Sequence, residues 1–251
     1  MKGVQEHGAV QHIPFVWLAA DYHFPSTYSC RIPMSSMQSA LVMPAPGPAT
    51  VRLALLRTGI EWYGLEMVRE TLFPILRQAP VRIRPPKRVA ISQHVLRAYK
   101  WSDDKHRRKS AQESIITREM AHASGPMTVY LQVPADVEQR LRVVLQAIGY
   151  WGQSSSLASC LGVTLTPPEP GECATPLSQL DGSFPLQPYF SCLATEFRSE
   201  RIAWDDIVAD DETTQKAEAL RLDVYLWPMM TEYRHGTQKV LVRTPMTAST
   251  W

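Results

Sequence analysis

Between Val81 and Arg118 eleven Lys and Arg residues stand against three acids, a local balance of +8 in a 251-residue chain whose total is +2, so the remainder is net acidic by about six charges. Arg82, Arg84, Lys87, Arg88, Arg97, Lys100, Lys105, Arg107, Arg108, Lys109 and Arg118 can each neutralise a phosphate. Tyr99 and Trp101 interleave aromatic faces on which unpaired bases can stack. Positive charge collected into one segment of an otherwise acidic chain is the electrostatic footprint of a polyanion site, and nucleic acid is the foremost candidate.

Two further stretches suit an anionic strand. The turn Gly149-Tyr150-Trp151-Gly152-Gln153-Ser154-Ser155-Ser156 offers backbone amides and hydroxyls to a phosphate or a base edge. Because it follows a helix rather than opening one, it is neither a dinucleotide fingerprint nor a P-loop; a simple helix-ending turn is the alternative. Thr50 and Arg52 fall at the start of a predicted helix, whose N-terminus carries partial positive charge. His94, His106 and His122 are the candidates for metal-independent RNA cleavage, but they form no recognisable catalytic arrangement, and like charge disfavours protonation of His106 between Lys105 and Arg107. No Cys, His or acid spacing implies a metal, and no cofactor motif is present, so the expectation is a non-enzyme without cofactors.

The elements that would position these residues read as mixed α and β. His12 to Ala20 predicts a first strand, and Tyr22 to Ser29 a turn. The proline-rich run from Met43 to Thr50 forbids regular structure, after which Thr50 can cap a helix carrying Val51, Leu53, Leu55 and Leu56. Val81 and Ile83, then Val89 and Ile91, alternate with basic or polar residues as two arms of an extended basic thumb over 81–120, with an exposed tip from Ser102 to Lys109 and a return strand from Ile115 to Met120. Met127 to Val133 is the cleanest strand, and Pro134 opens a helix that ends at Gly149. This order resembles a ferredoxin-like βαββαβ fold with a basic insertion, an α+β class. Residues 1–160 would form that domain and 161–251 a strand-rich C-terminal extension, with strands over Phe184–Ala194, Leu222–Trp227 and Lys239–Arg243.

Between Glu196 and Asp223 nine acids meet four bases, which suggests a solvated or protein-facing surface. Trp204, Trp227, Met229 and Met230 fit either a protein interface or the C-terminal core. Four cysteines without a C-x-x-C pair fit a reducing cytosol, and the absence of a signal-like or membrane-length apolar run predicts a soluble cytoplasmic protein with no membrane partner.

Three local patterns together resemble the CRISPR-associated Cas-five family. The first is Pro44-Ala45-Pro46-Gly47-Pro48-Ala49-Thr50 feeding Val51-Arg52-Leu53-Ala54-Leu55, similar to the family's proline loop, with Leu53 where the family usually has glycine. The second is the basic segment closing on Thr117-Arg118-Glu119, followed by Gly125 to Leu131. The third is Ala147-Ile148-Gly149-Tyr150-Trp151-Gly152-Gln153-Ser154-Ser155-Ser156-Leu157. The resemblance implies a modified ferredoxin-like RAMP (RRM-like) fold whose thumb grips guide RNA. It also implies a cytoplasmic, hetero-oligomeric type I Cascade ribonucleoprotein for antiviral defence, in which the chain holds the five-prime handle of the crRNA. The backbone filament subunit and the large subunit would be its neighbours, with target DNA nearby. Two alternatives stand beside this non-catalytic role: a RAMP endoribonuclease that processes precursor crRNA, and a generic single-stranded RNA-binding scaffold.

Overall fold

In the first strand, apolar residues at alternate positions face one way, and the strand runs on past its expected end: β1 (Phe15–His23) turns Leu18, Ala20 and Tyr22 into the core. The structure, a computed structural model, describes residues 13–35, 39–101, 111–180, 187–208 and 219–246. After the proline loop comes α1 (Pro48–Tyr63). Pro48 takes the first helical position, where a missing N–H breaks no bond and the fixed φ is already helical, so Gly47 is the N-cap. Thr50, expected as the cap, is the third residue of the helix, and no side chain caps the helix. Then α2 (Leu65–Met67) runs through a π-helical turn (Val68–Leu72) into α3 (Phe73–Leu76).

Next in the chain is β2 (Val81–Arg84). Pro85 and Pro86 interrupt it before β3 (Arg88–Trp101), which pairs with β4 (Ala111–Ser124) in one antiparallel register from Arg88 opposite Ser124 to Trp101 opposite Ala111. The thumb is therefore narrower in sequence than expected at its start and longer at its end: Val81–Arg84 is not one of its arms, and the return strand extends over fourteen residues. Lys105, His106, Arg107, Arg108 and Lys109 lie outside the described residues. After the ribbon come β5 (Met127–Pro134), a 3-10 turn (Ala135–Val137), α4 (Glu138–Ala147) and β6 (Ser159–Leu165).

The first sheet has the order β2-β5-β1-β6, every neighbouring pair antiparallel. Leu55 and Leu56 of α1 and Leu141, Val144 and Leu145 of α4 share one core with Leu18, Val129 and Leu131 of this sheet. The second sheet joins Thr175–Pro176, β8 (Leu220–His235), β9 (Gln238–Arg243), β3, β4 and Ser39–Ala40, with β7 (Tyr189–Phe197) also on β8. Residue 160, the expected domain limit, falls inside β6, and β9 pairs with β3 from Lys239 opposite Ile91 to Val242 opposite Arg88, so the C-terminal strands and the thumb are parts of one sheet.

Trp204, Trp227 and Met229 are buried in the shared core, which decides for the core over an interface at these three positions, while Met230 is half-buried. All four cysteines are free, and burial pushes the thiols of Cys30, Cys173 and Cys192 up to about 12, leaving them neutral and unreactive near neutral pH. Among the described residues no helix is long and apolar enough to cross a membrane.

Candidate nucleic-acid interface

The turn after α4 closes on itself before it meets anything else. The Trp151 amide donates to the Ser156 carbonyl (3.1 Å), the Ser156 amide to the Gln153 carbonyl (2.9 Å), and the Ala158 amide to the Gly149 carbonyl (2.9 Å). Gly152 adopts φ +71°, a left-handed conformation in which a side chain would be strained. Inside the loop, Trp151 is fully buried and meets the Tyr22 ring edge-on at 4.9 Å, while Gly152, Gln153, Ser154 and Ser155 face outward. Half-buried Tyr150 is covered on one face by the Arg57 guanidinium, 3.6 Å from the ring centroid.

All three sequence patterns converge on this turn. From the proline-loop helix, the Thr50 methyl group lies 3.5 Å from where a side-chain carbon on Gly152 would be. From the thumb, Arg118 on β4 donates to Gln153 Oε1 at 3.2 Å. The tie between them is Tyr28-Ser29, a stretch that read only as a turn. The Tyr28 hydroxyl donates to the Pro44 carbonyl (2.6 Å), its backbone exchanges two 2.8 Å bonds with Ala121 of β4, and the Ser29 amide donates to Ser156 Oγ (3.1 Å). Glu119 clamps the thumb base from the other side, its carboxylate accepting from the Val42 amide (2.9 Å) and from Lys239 Nζ (3.3 Å). Beside the turn a groove of about 620 Å³ runs along α1, lined by Thr50, Leu53, Arg57, Ile60, Gly152 and Ile207.

The sequence-predicted residues separate into several groups. Lys87 and Arg97 are exposed on or beside the ribbon. Lys100 and Trp101, with Tyr99, close β3 opposite Gln112, Ala111 and Glu113. Arg88 is exposed but paired with Glu232 of β8. Arg84, on β2 rather than the thumb, is held by Glu172 (3.2 Å) and Thr128, and lies 3.8 Å from Asp21. Arg82, also on β2, lines a separate polar cleft. Two candidates are internal struts: Arg52 is 5% exposed and salt-bridged to Glu196 at 2.8 Å, and Trp151 is 0% exposed, so both side chains are engaged within the chain rather than projecting at the turn. Arg52 was misplaced because helix position alone does not say which way a side chain points. Arg57, missed entirely, lies on the opposite side of α1 beside Tyr150.

No family model matches the chain. It is 27% identical over 155 residues to CRISPR-associated protein Cas5 of Archaeoglobus fulgidus, covering 61% of this chain and 67% of the relative. The chain is similar to this Cas5 over more than half of its length. The resemblance to the Cas5 family is thereby borne out. Among solved structures, a CRISPR protein from Archaeoglobus fulgidus aligns over 91% of this chain and 92% of its own at 12% identity, with a TM-score of 0.47. A chain of a CRISPR RNA-guided surveillance complex aligns over 93% and 91% at 10% identity, with a TM-score of 0.34.

Proposed function

We propose that this Cas5-like chain is a non-catalytic, guide-RNA-binding subunit of a type I CRISPR Cascade, holding the five-prime handle of the crRNA in the cytoplasm and joining the backbone and large subunits there. The observation that carries the reading is the contact between Arg118 of the ribbon and Gln153 of the turn, with Gly152 packed against Thr50, which brings three separate sequence patterns to one exposed place. Basic side chains on the ribbon neutralise backbone phosphates, and the outward amides and hydroxyls of Gly152 to Ser155 take the strand's polar edges. A ferredoxin-like core is supported by the order β2-β5-β1-β6 together with helices between β1 and β2 and between β5 and β6.

Replacing both Lys87 and Arg118 with Gln is expected to weaken binding of the full chain to repeat-derived RNA and to flatten the plot of log affinity against log salt by about 1.4, at about 0.7 per phosphate contact on a single strand. Filter binding over a salt series measures both, and an unchanged affinity and slope would remove the ribbon base from the site.

One observation favours the nuclease reading as a second possibility. His94 is exposed on the ribbon directly opposite Arg118, and its Nε2 lies 2.9 Å from Ser92 Oγ, a base beside a cation that stabilises a phosphorane. Incubation of the full chain with labelled repeat RNA in chelator separates the two: intact RNA is the expected result, and specific cleavage abolished by His94→Ala would establish the enzyme instead.

A further inference from the structure

On the far side of α1 from the glycine-serine turn, a polar cleft of about 270 Å³ opens at the edge strand β2. Its floor is the Arg52–Glu196 pair, in which the two charges cancel. Arg77, Arg82 and Arg221 project from three different elements around it, joined by the polar side chains of Gln78 and Ser199. Glu200 is the one further carboxylate in the lining, and it is fully exposed, bonded to its own backbone amide and Ser199 and facing Arg201 and Arg221. The cleft thus keeps a surplus of guanidinium charge. Arg77 Nε is buried with no hydrogen-bond partner and its guanidinium lies 6.0 Å from the Phe73 ring centroid, while Arg82 is half-exposed and makes no ion pair among the described residues.

The cleft adjoins the interface already described through shared wall residues. The groove beside Gly152 shares Leu53 and Ile207 with a smaller apolar cavity of about 200 Å³, and that cavity shares Phe197 with the arginine cleft. The three hollows therefore adjoin one another through shared wall residues from the turn, past the start of α1, to the guanidinium groups; the middle one is mostly apolar but includes Asp206, and Glu61 lines the first. Planar guanidinium forks pair bidentately with a phosphate as they do with a carboxylate, and an amide and a hydroxyl beside them can meet the further oxygens that a phosphate carries.

We propose that Arg77, Arg82 and Arg221 form a second phosphate site, which holds the backbone of a single-stranded polynucleotide after it has crossed α1 from the glycine-serine turn. The strand assignment rests on the RNA-binding reading above; the phosphate site itself does not. Arg82 accordingly belongs to this cleft and not to the thumb, and no sequence pattern singles out Arg77 or Arg221, because each is a lone arginine in its own segment.

The test uses the full chain, the cleft variant Arg77→Gln with Arg82→Gln, and the ribbon variant Lys87→Gln with Arg118→Gln. Inorganic pyrophosphate is expected to raise the melting temperature of the wild type and the ribbon variant but not of the cleft variant, and the cleft variant is expected to bind repeat-derived RNA about tenfold more weakly at physiological salt, as the loss of two phosphate contacts implies. Equal stabilisation of all three proteins by pyrophosphate would overturn the site. RNA affinity unchanged in the cleft variant but lowered in the ribbon variant would overturn the strand path while leaving the Cas5-type reading intact. Failure of the wild type to bind RNA would sink that reading, and the pyrophosphate series would still decide the cleft. Displacement of pyrophosphate by a glutamate-rich peptide but not by RNA would reassign the cleft to an acidic protein partner and overturn the proposal. Arg82→Gln alone, on a half-exposed strand position, guards against misfolding of the double variant and is expected to lose part of the pyrophosphate effect.

Discussion

Arg52→Ala is expected to lower the stability of the chain by about 3–5 kcal/mol, the range for breaking one side of a buried ion pair. Arg52 Nε donates to Glu196 Oε1 at 2.8 Å, one terminal nitrogen donates to Glu196 Oε2 at 3.4 Å, and the other donates to the carbonyls of Ala79 (2.8 Å) and Leu76. The guanidinium also lies 5.7 Å from the Phe197 ring. One side chain therefore ties α1 to the end of α3 and to β7. Alanine strands the Glu196 carboxylate, only 12% exposed, and leaves two carbonyls without their donor. Urea denaturation measures the loss, and for a chain of this length it corresponds to a fall in melting temperature of about 10 °C. Pairing Arg52→Met with Glu196→Gln removes both charges and is expected to recover most of the stability, because the penalty comes mainly from the uncompensated partner. An Arg52→Ala protein that melted like the wild type and had lost only its RNA affinity would show that the guanidinium serves the ligand and not the fold.

Arg52 also marks where sequence reading stops. Strand alternation and helix spacing are local properties, and they located β1, α1, β5 and α4 closely, because each carries its apolar stripe in its own residues. The N-cap was misassigned to Thr50 because hydroxyl residues dominate caps, whereas here Pro48 fixes the start of the helix and a glycine suffices before it. The two arms of the thumb were harder still. Val81–Arg84 and the start of β3 have the same half-apolar, half-basic texture, and only long-range pairing sends the first to β5 and the second to β4 and β9. The same limit applied to the site. Gly152, Gln153 and Arg118 were legible from type and order, but the Tyr28-Ser29 tie consists largely of backbone bonds that any residue could make, and Arg57 stands in a helix with nothing to distinguish it from a solvated arginine.

The convergence at the turn also settles what kind of residue Trp151 is, with an experiment that separates two mechanisms by their magnitudes. Its ring is fully buried against Tyr22, whose hydroxyl donates to the Leu145 carbonyl at 2.7 Å, so it anchors the loop to β1 and α4. Trp151→Ala is expected to cost about 3–5 kcal/mol of stability, the usual loss for emptying a large aromatic site. RNA affinity then falls because Gly152 to Ser155 lose the support that holds their amides outward. Trp151→Phe is the sharper probe. Trp151 Nε1 is buried with no partner, so the smaller ring gives up some packing but also removes a donor that already carries an unmet desolvation cost. The phenylalanine variant is expected to lose no more than about 2 kcal/mol and to bind RNA like the wild type. If Trp151 instead stacked on a base, alanine would leave the urea midpoint in place while costing about 1–3 kcal/mol of binding. Denaturation and filter binding on the same two variants therefore assign the ring either to the core beneath the turn or to the strand above it.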